Sequence, residues 1–186
     1  MMFKISACGV IIVVLTLSLA GCVNNNEDNE SESAGFPRVV AGNHDPIRGG
    51  MEPGAGGVAS VRIGSVCRVG DQPIELTEVT VDDVEGDIAL TDFSVYADPP
   101  GGRLGSGAQP FPIREVSGYR GGDVVSALCK SDSDVSGESL AVELTLSSGP
   151  LGVAKGFTLS WESEGGTYTV KIPWTQELCV RYRDCH

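Results

Sequence analysis

Leu140-Ala141-Val142-Glu143-Leu144-Thr145-Leu146 is apolar at every second residue. A repeat of two is the repeat of a strand, because successive side chains leave a pleated backbone on opposite faces. The same period returns downstream. Phe157, Leu159 and Trp161 alternate with polar neighbours, Gly165-Gly166 interrupts, and Tyr168, Val170, Ile172 and Trp174 alternate again. This predicts a β-hairpin with one buried face. Upstream, shorter runs predict strands over 58–69, 74–81, 88–97 and 124–130, and a last strand follows over 178–182. No segment keeps a helical period for three turns. About eight short strands in about 130 residues, separated by turn residues, predict an all-β domain over 58–186: an antiparallel β-sandwich of the immunoglobulin-like kind. The comparison is architectural, since Trp161 lies between Cys129 and Cys179 but a further strand separates it from the second cysteine.

Composition narrows the function. The 186 residues include 25 acidic and 13 basic side chains, a formal charge of −12. Nucleic-acid affinity comes mostly from Lys and Arg neutralising phosphates, so such a chain is not expected to bind DNA or RNA. Only two histidines occur, His44 and His186, both outside the patterned strands. Without a nearby histidine the serines lack a general base, and no GxSxG, HExxH, P-loop or SxxK motif is present. Carboxylates are plentiful, yet no spacing singles out a hydrolytic pair. The expectation is a binding or accessory protein, not an enzyme, that uses no cofactor; a small-ligand- or calcium-binding protein is the alternative, ahead of an unrecognised hydrolase.

The first residues carry Lys4 and then an apolar run over 5–19, about 15 residues, which is shorter than the roughly 20 of a membrane-spanning helix. This is the anatomy of an export signal. It ends in Leu19-Ala20-Gly21-Cys22, which resembles the lipobox of bacterial lipoproteins. The resemblance covers residues 1–22 and implies removal of 1–21 and a diacylglyceryl group on Cys22. It places the protein on the extracytoplasmic face of a cell membrane, held by lipid. An ordinary cleaved signal is the alternative. Two or more acyl chains, at about 0.8 kcal/mol per buried CH₂, anchor a protein stably.

Export also decides the cysteines. Cys8 leaves with the signal and Cys22 is consumed, so Cys67, Cys129, Cys179 and Cys185 remain, with no CxxC spacing for zinc. In an oxidising compartment they are expected to form two disulfides. The arrangement preferred is Cys129–Cys179 with Cys67–Cys185; Cys67–Cys129 with Cys179–Cys185 is the close alternative. Residues 22–57 hold the lipidated cysteine and a polar, then Gly- and Pro-rich stretch without apolar periodicity, which predicts a disordered tether. Its reach is about 30 to 35 Å.

Three stretches are candidate sites. Asp132, Asp134, Ser136, Gly137 and Glu143 follow the spacing of an EF-hand calcium loop, but strands flank them where helices are required, so a metal site is not expected and an exposed turn is. The acidic cluster Asp82, Asp83, Glu85 and Asp87 reads as a turn between two strands, at most a weak cation site. The connection 98–122 is long for a compact domain and sets Arg103, Arg114 and Arg120 among Phe111 and Tyr119. Arginine with aromatics is the composition of binding hot spots, so this is the expected contact with an envelope protein partner. The competing reading has Phe111 and Tyr119 plugging the core and an edge strand over 113–116.

Overall fold

The alternations at 140–146 and 157–161 belong to one strand, not two. The computed structural model describes residues 38–42, 47–97, 108–115, 122–131, 137–163 and 165–185. In it β6 runs over Glu138–Ser163, and the pair expected at 74–81 and 88–97 is likewise one strand, β4, over Ile74–Ala97. The two lie antiparallel, with Leu76 opposite Trp161 and Ala97 opposite Glu138. Where a turn was expected at 82–87 there is instead a bulge. Glu85 faces Val153 and Asp87 faces Ser148, so Gly86 alone opposes 149–152. Gly86 has a φ of 76°, and a Cβ there would sit 2.6 Å from the Leu151 carbonyl oxygen. Both conditions require glycine, and such an irregularity bends a ribbon without ending it.

Each half of β6 takes a different third strand. β3, Val58–Val69, pairs with the first half from Val58↔Thr145 to Val66↔Glu138. β7, Gly166–Cys179, pairs with the second half from Leu151↔Cys179 to Ser163↔Gly166, forming the hairpin expected around Gly165-Gly166. β1, Arg38–Ala41, adds to β3 antiparallel, and β2, Ile47–Met51, adds to β7 in parallel. β5, Val124–Val125, caps the start of β4. The result is an all-β, mixed, seven-stranded sheet curled into a half-barrel. It differs from the expected immunoglobulin-like antiparallel sandwich, since β4 and β6 pass through the whole sheet and one pair is parallel. Two strands also fall inside 22–57, where a tether was expected. Both are short and are held by partners distant in sequence.

Alternation aims Leu140, Val142 and Leu144 of β6 at one face, where they meet Ile63 of β3, Phe157, Leu159, and Ile172 and Leu178 of β7, all fully buried. Burying each such side chain is worth about 1.5 to 3 kcal/mol. The opposite face of the same β6 half carries a small separate cluster, Tyr96, Ile113 and Ala141.

The disulfides are Cys67–Cys129 and Cys179–Cys185, so the preferred pairing is corrected in favour of its alternative. Cys129 lies alongside β3, donating its N–H to the Arg68 carbonyl at 3.0 Å, and that brings it to Cys67. The strand expected over 178–182 stops at Cys179. A 3-10 turn at Tyr182–Asp184 follows and returns Cys185 to within 5.6 Å of Cys179, Cα to Cα. The strand expected over 124–130 is reduced to β5 and an isolated bridge, Arg68↔Leu128.

Candidate functional site: a strapped loop and a cleft at the open seam

Residues 108–115 cross the outer face of β3 and β6 as a strap. Gln109 and Ser60 exchange backbone hydrogen bonds at 2.7 and 2.8 Å, and the Ser60 hydroxyl donates to the Phe111 carbonyl at 2.7 Å. The Ile113 N–H donates to Glu143 Oε2 at 2.8 Å, while Thr91 Oγ1 donates to Oε1 of the same carboxylate at 2.8 Å. Ile113, within a 3-10 turn over Ile113–Glu115, is 3% exposed against Tyr96 and Ala141. The core-plugging role imagined for Phe111 therefore belongs to Ile113, and no edge strand forms at 113–115. Phe111 is 52% exposed, with exposed Arg114 three residues on. Arg103, Tyr119 and Arg120 lie outside the described residues.

Glu143 thus has both oxygens committed to holding the strap, and it stands within β6. The other calcium-loop residues, Asp132, Asp134 and Ser136, lie outside the described residues. The carboxylates at 82–87 are side chains of β4, engaged across the ladder. Asp82 meets Lys171 at 3.3 Å and Thr158, Asp83 and Glu85 meet Lys155, and Asp87 accepts from Ser148 Oγ at 2.7 Å. Hydrogen bonding to Glu85 is the main cause that raises the Lys155 pKa above its ordinary 10.5, with the charges of Glu85 and Asp83 adding to it and desolvation opposing it.

The half-barrel stays open between β3 and the β2–β7 pair, and a cleft of about 430 Å³ occupies the seam. Arg48, Gly49 and Gly50 of β2 line one wall, and Val61, Arg62, Gly64 and Ser65 of β3 the other. Neighbouring residues of a strand point to opposite faces. A cavity that touches consecutive residues of both strands is therefore walled by their backbone edges. Trp174 and Gln176 form the floor from β7, the indole N–H donating to Gln176 Oε1 at 3.3 Å. Gly49 and Gly50 are needed for close approach: a Cβ would lie 2.9 Å from Gln176 Oε1 at the first and 2.9 Å from the Cys185 Cβ at the second.

The β2 wall is fixed at several points. Arg48, half exposed, pairs with the fully buried Glu177, its Nε donating to Oε1 at 2.8 Å. The Glu52 carboxylate accepts the Tyr182 N–H at 2.6 Å. Glu177, Cys179 and Cys185 bring their ligand-type atoms within 4.8 Å of one another. The two sulfurs are bonded to each other, so this group holds no thiolate. Nothing in the sequence pointed to this cleft, because its walls are glycines and widely separated arginines with no motif spacing.

The chain matches no protein-family model, no curated protein and no solved structure. Among the described residues no helix is long and apolar enough to cross a membrane.

Proposed function

We propose that this chain is a lipid-anchored binding protein on the extracytoplasmic face of a bacterial cell envelope, an accessory module that recognises a protein partner and catalyses no reaction. The anchor reading rests on Leu19-Ala20-Gly21-Cys22. The observation that carries the recognition reading is Phe111, an aromatic side chain 52% exposed at the crest of a strap. Part-buried hydrogen bonds at Ser60 and Glu143 and the packing of Ile113 hold the strap. A bulky apolar group on a rigid support loses little conformational entropy on binding. With Arg114 beside it, the strap has the composition of an interface hot spot.

The test is affinity capture with crosslinking from native membranes, comparing the intact protein with Phe111→Ala, Arg114→Glu and Cys22→Ser. Capture of one partner that drops at least tenfold for Phe111→Ala, with unchanged thermal stability, is the expected outcome. Cys22→Ser should move the protein to the soluble fraction; retention in the membrane would remove the anchor from the proposal. Equal capture by all strap variants would move recognition elsewhere.

A further inference from the structure

The geometry points to a second binding site, the cleft at the seam, which takes a neutral saccharide of one or two rings. The groups already engaged in its walls decide the class of ligand. The Ser65 carbonyl accepts the Gly42 N–H at 2.8 Å, and Gln109 and Ser60 exchange backbone hydrogen bonds. β3 is thereby closed on either side of the cleft and offers no continuous edge to a further strand. The guanidinium of Arg48 is charge-balanced by Glu177, and Arg62 donates to Ser65 Oγ and is engaged beyond that bond as well. Neither is a bare charge for an anion to neutralise. A peptide strand and an anion are the wrong occupants.

What remains is room, hydrogen-bonding capacity and an aromatic surface. The volume of about 430 Å³ falls within the range of small-molecule clefts, about 300 to 1,000 Å³. Arg48, half exposed, turns Nε and Nη2 to Glu177, which leaves further N–H groups of its fork for a ligand. The Ser65 hydroxyl accepts from Arg62 and so keeps its own proton to donate. On the floor, Gln176 Oε1 takes the Trp174 indole N–H and has a second lone pair. Gly49 keeps that floor clear: a Cβ there would lie 2.9 Å from Gln176 Oε1 and 3.6 Å from Trp174 Cζ2. Fixed donors and an acceptor beside an indole match a pyranose ring, whose C–H face packs on the apolar body of the aromatic while its hydroxyls meet the polar groups. The site depends on neither Phe111 nor the lipid, so it stands or falls apart from partner binding at the strap.

The probe is an array of neutral and acidic saccharides of one to three rings, read with the protein as isolated from its host in a detergent without a sugar headgroup. The best neutral binder is then titrated. The expected result is saturable binding that changes less than twofold between about 0.05 and about 0.5 M salt. It should shift the indole N–H resonance of Trp174 and leave that of Trp161, which is buried in the core. Trp174→Ala and Gly49→Ala should each weaken binding at least tenfold and Trp174→Phe only severalfold. Tyr182→Ala removes an exposed aromatic that does not line the cleft and should alter binding less than twofold. The resonance shift is read on the parent protein, so a variant that fails to fold leaves the test intact. No signal on the array, a preference for acidic saccharides, loss of binding with salt, equal shifts of both indoles, or equal loss in Tyr182→Ala would each overturn the assignment.

Discussion

Along the outer edge of β4, Asp82, Asp83, Glu85, Asp87 and Asp92 stand on a strand broken in register at Gly86. Along the edges that face each other across the seam, β2 and β3 carry Arg48, Arg62 and three glycines. Over 77–94 the described residues give β4 no ladder beyond β6. The chemistry of the two edges is opposite. Charges and bulges on an open strand keep other strands off, and a row of like charges repels a copy of itself. On β2, Gly49 and Gly50 instead let Gln176 and Cys185 approach closely. One edge is guarded by charge and the other is built for close packing.

The seam is stapled on both sides, and the staples are unequal. Cys67–Cys129 on the β3 side closes a separation of 62 residues, while Cys179–Cys185 behind Gly50 closes only 6. If loop-closure entropy of the unfolded chain dominates, replacing the first pair by serine costs about 4 kcal/mol and the second about 2 kcal/mol. Urea denaturation of the two double variants measures the difference. Equal losses would mean that the short bridge does more for the β2 wall than chain entropy explains.

The two arginines of the seam should separate next. Arg48 compensates a carboxylate with no exposed surface, and Arg62 bonds Ser65 on a half-buried wall. Losing the half-exposed guanidinium takes a charge-assisted hydrogen bond from a buried carboxylate, so Arg48→Met is expected to cost about 2 kcal/mol. Arg62→Met should cost about 1 kcal/mol or less. The opposite order, measured by chemical denaturation, would make Arg62 the stronger support of the cleft walls.

Elements set by local pattern could be read from the sequence, and those set by distant partners could not. The limits of β3 at Val58 and Val69 and the hairpin at Gly165-Gly166 follow from period-two alternation and turn chemistry, both of which are local. Gly86 and Gly149-Pro150 look like turns because the same residues serve turns and bulges; only the partner strand decides, and it lies about 60 residues away. Ile47-Arg48-Gly49-Gly50-Met51 has no alternation because its glycines answer to Gln176 and Cys185 rather than to a core. A parallel pairing to β7 leaves no signal in a short window. The strap was half visible: Arg114 and Phe111 stand out by type, whereas Glu143, for which no metal site is expected despite its calcium-like spacing, gives no sign in the sequence that it anchors Ile113.

The protected edge makes its own prediction. Replacing Asp83, Glu85 and Asp87 together by valine keeps strand propensity and removes the repulsion. Each is exposed, so stability should change by about 0.5 kcal/mol or less per site. The observable is association, a concentration-dependent rise in mass by light scattering. A triple variant that stays monomeric would show that the bulge at Gly86 alone protects this edge.

The smallest effect lies on the same ribbon. Lys155 reaches across from β6 to Asp83 and Glu85, and its pKa lies above 10.5 chiefly because the ammonium donates to Glu85. A raised folded-state pKa means that the folded chain holds this proton more tightly than the unfolded one. The contribution is therefore complete below 10.5 and is lost as pH rises through the higher folded value. Both partners are exposed, so the gain is small and screened by salt. Lys155→Met should remove a shallow alkaline decline in the denaturation midpoint, seen between roughly pH 9 and 12 at low ionic strength. If the variant and the parent decline in parallel there, the Lys155 pairs contribute nothing to stability, and the carboxylates of β4 serve the edge alone.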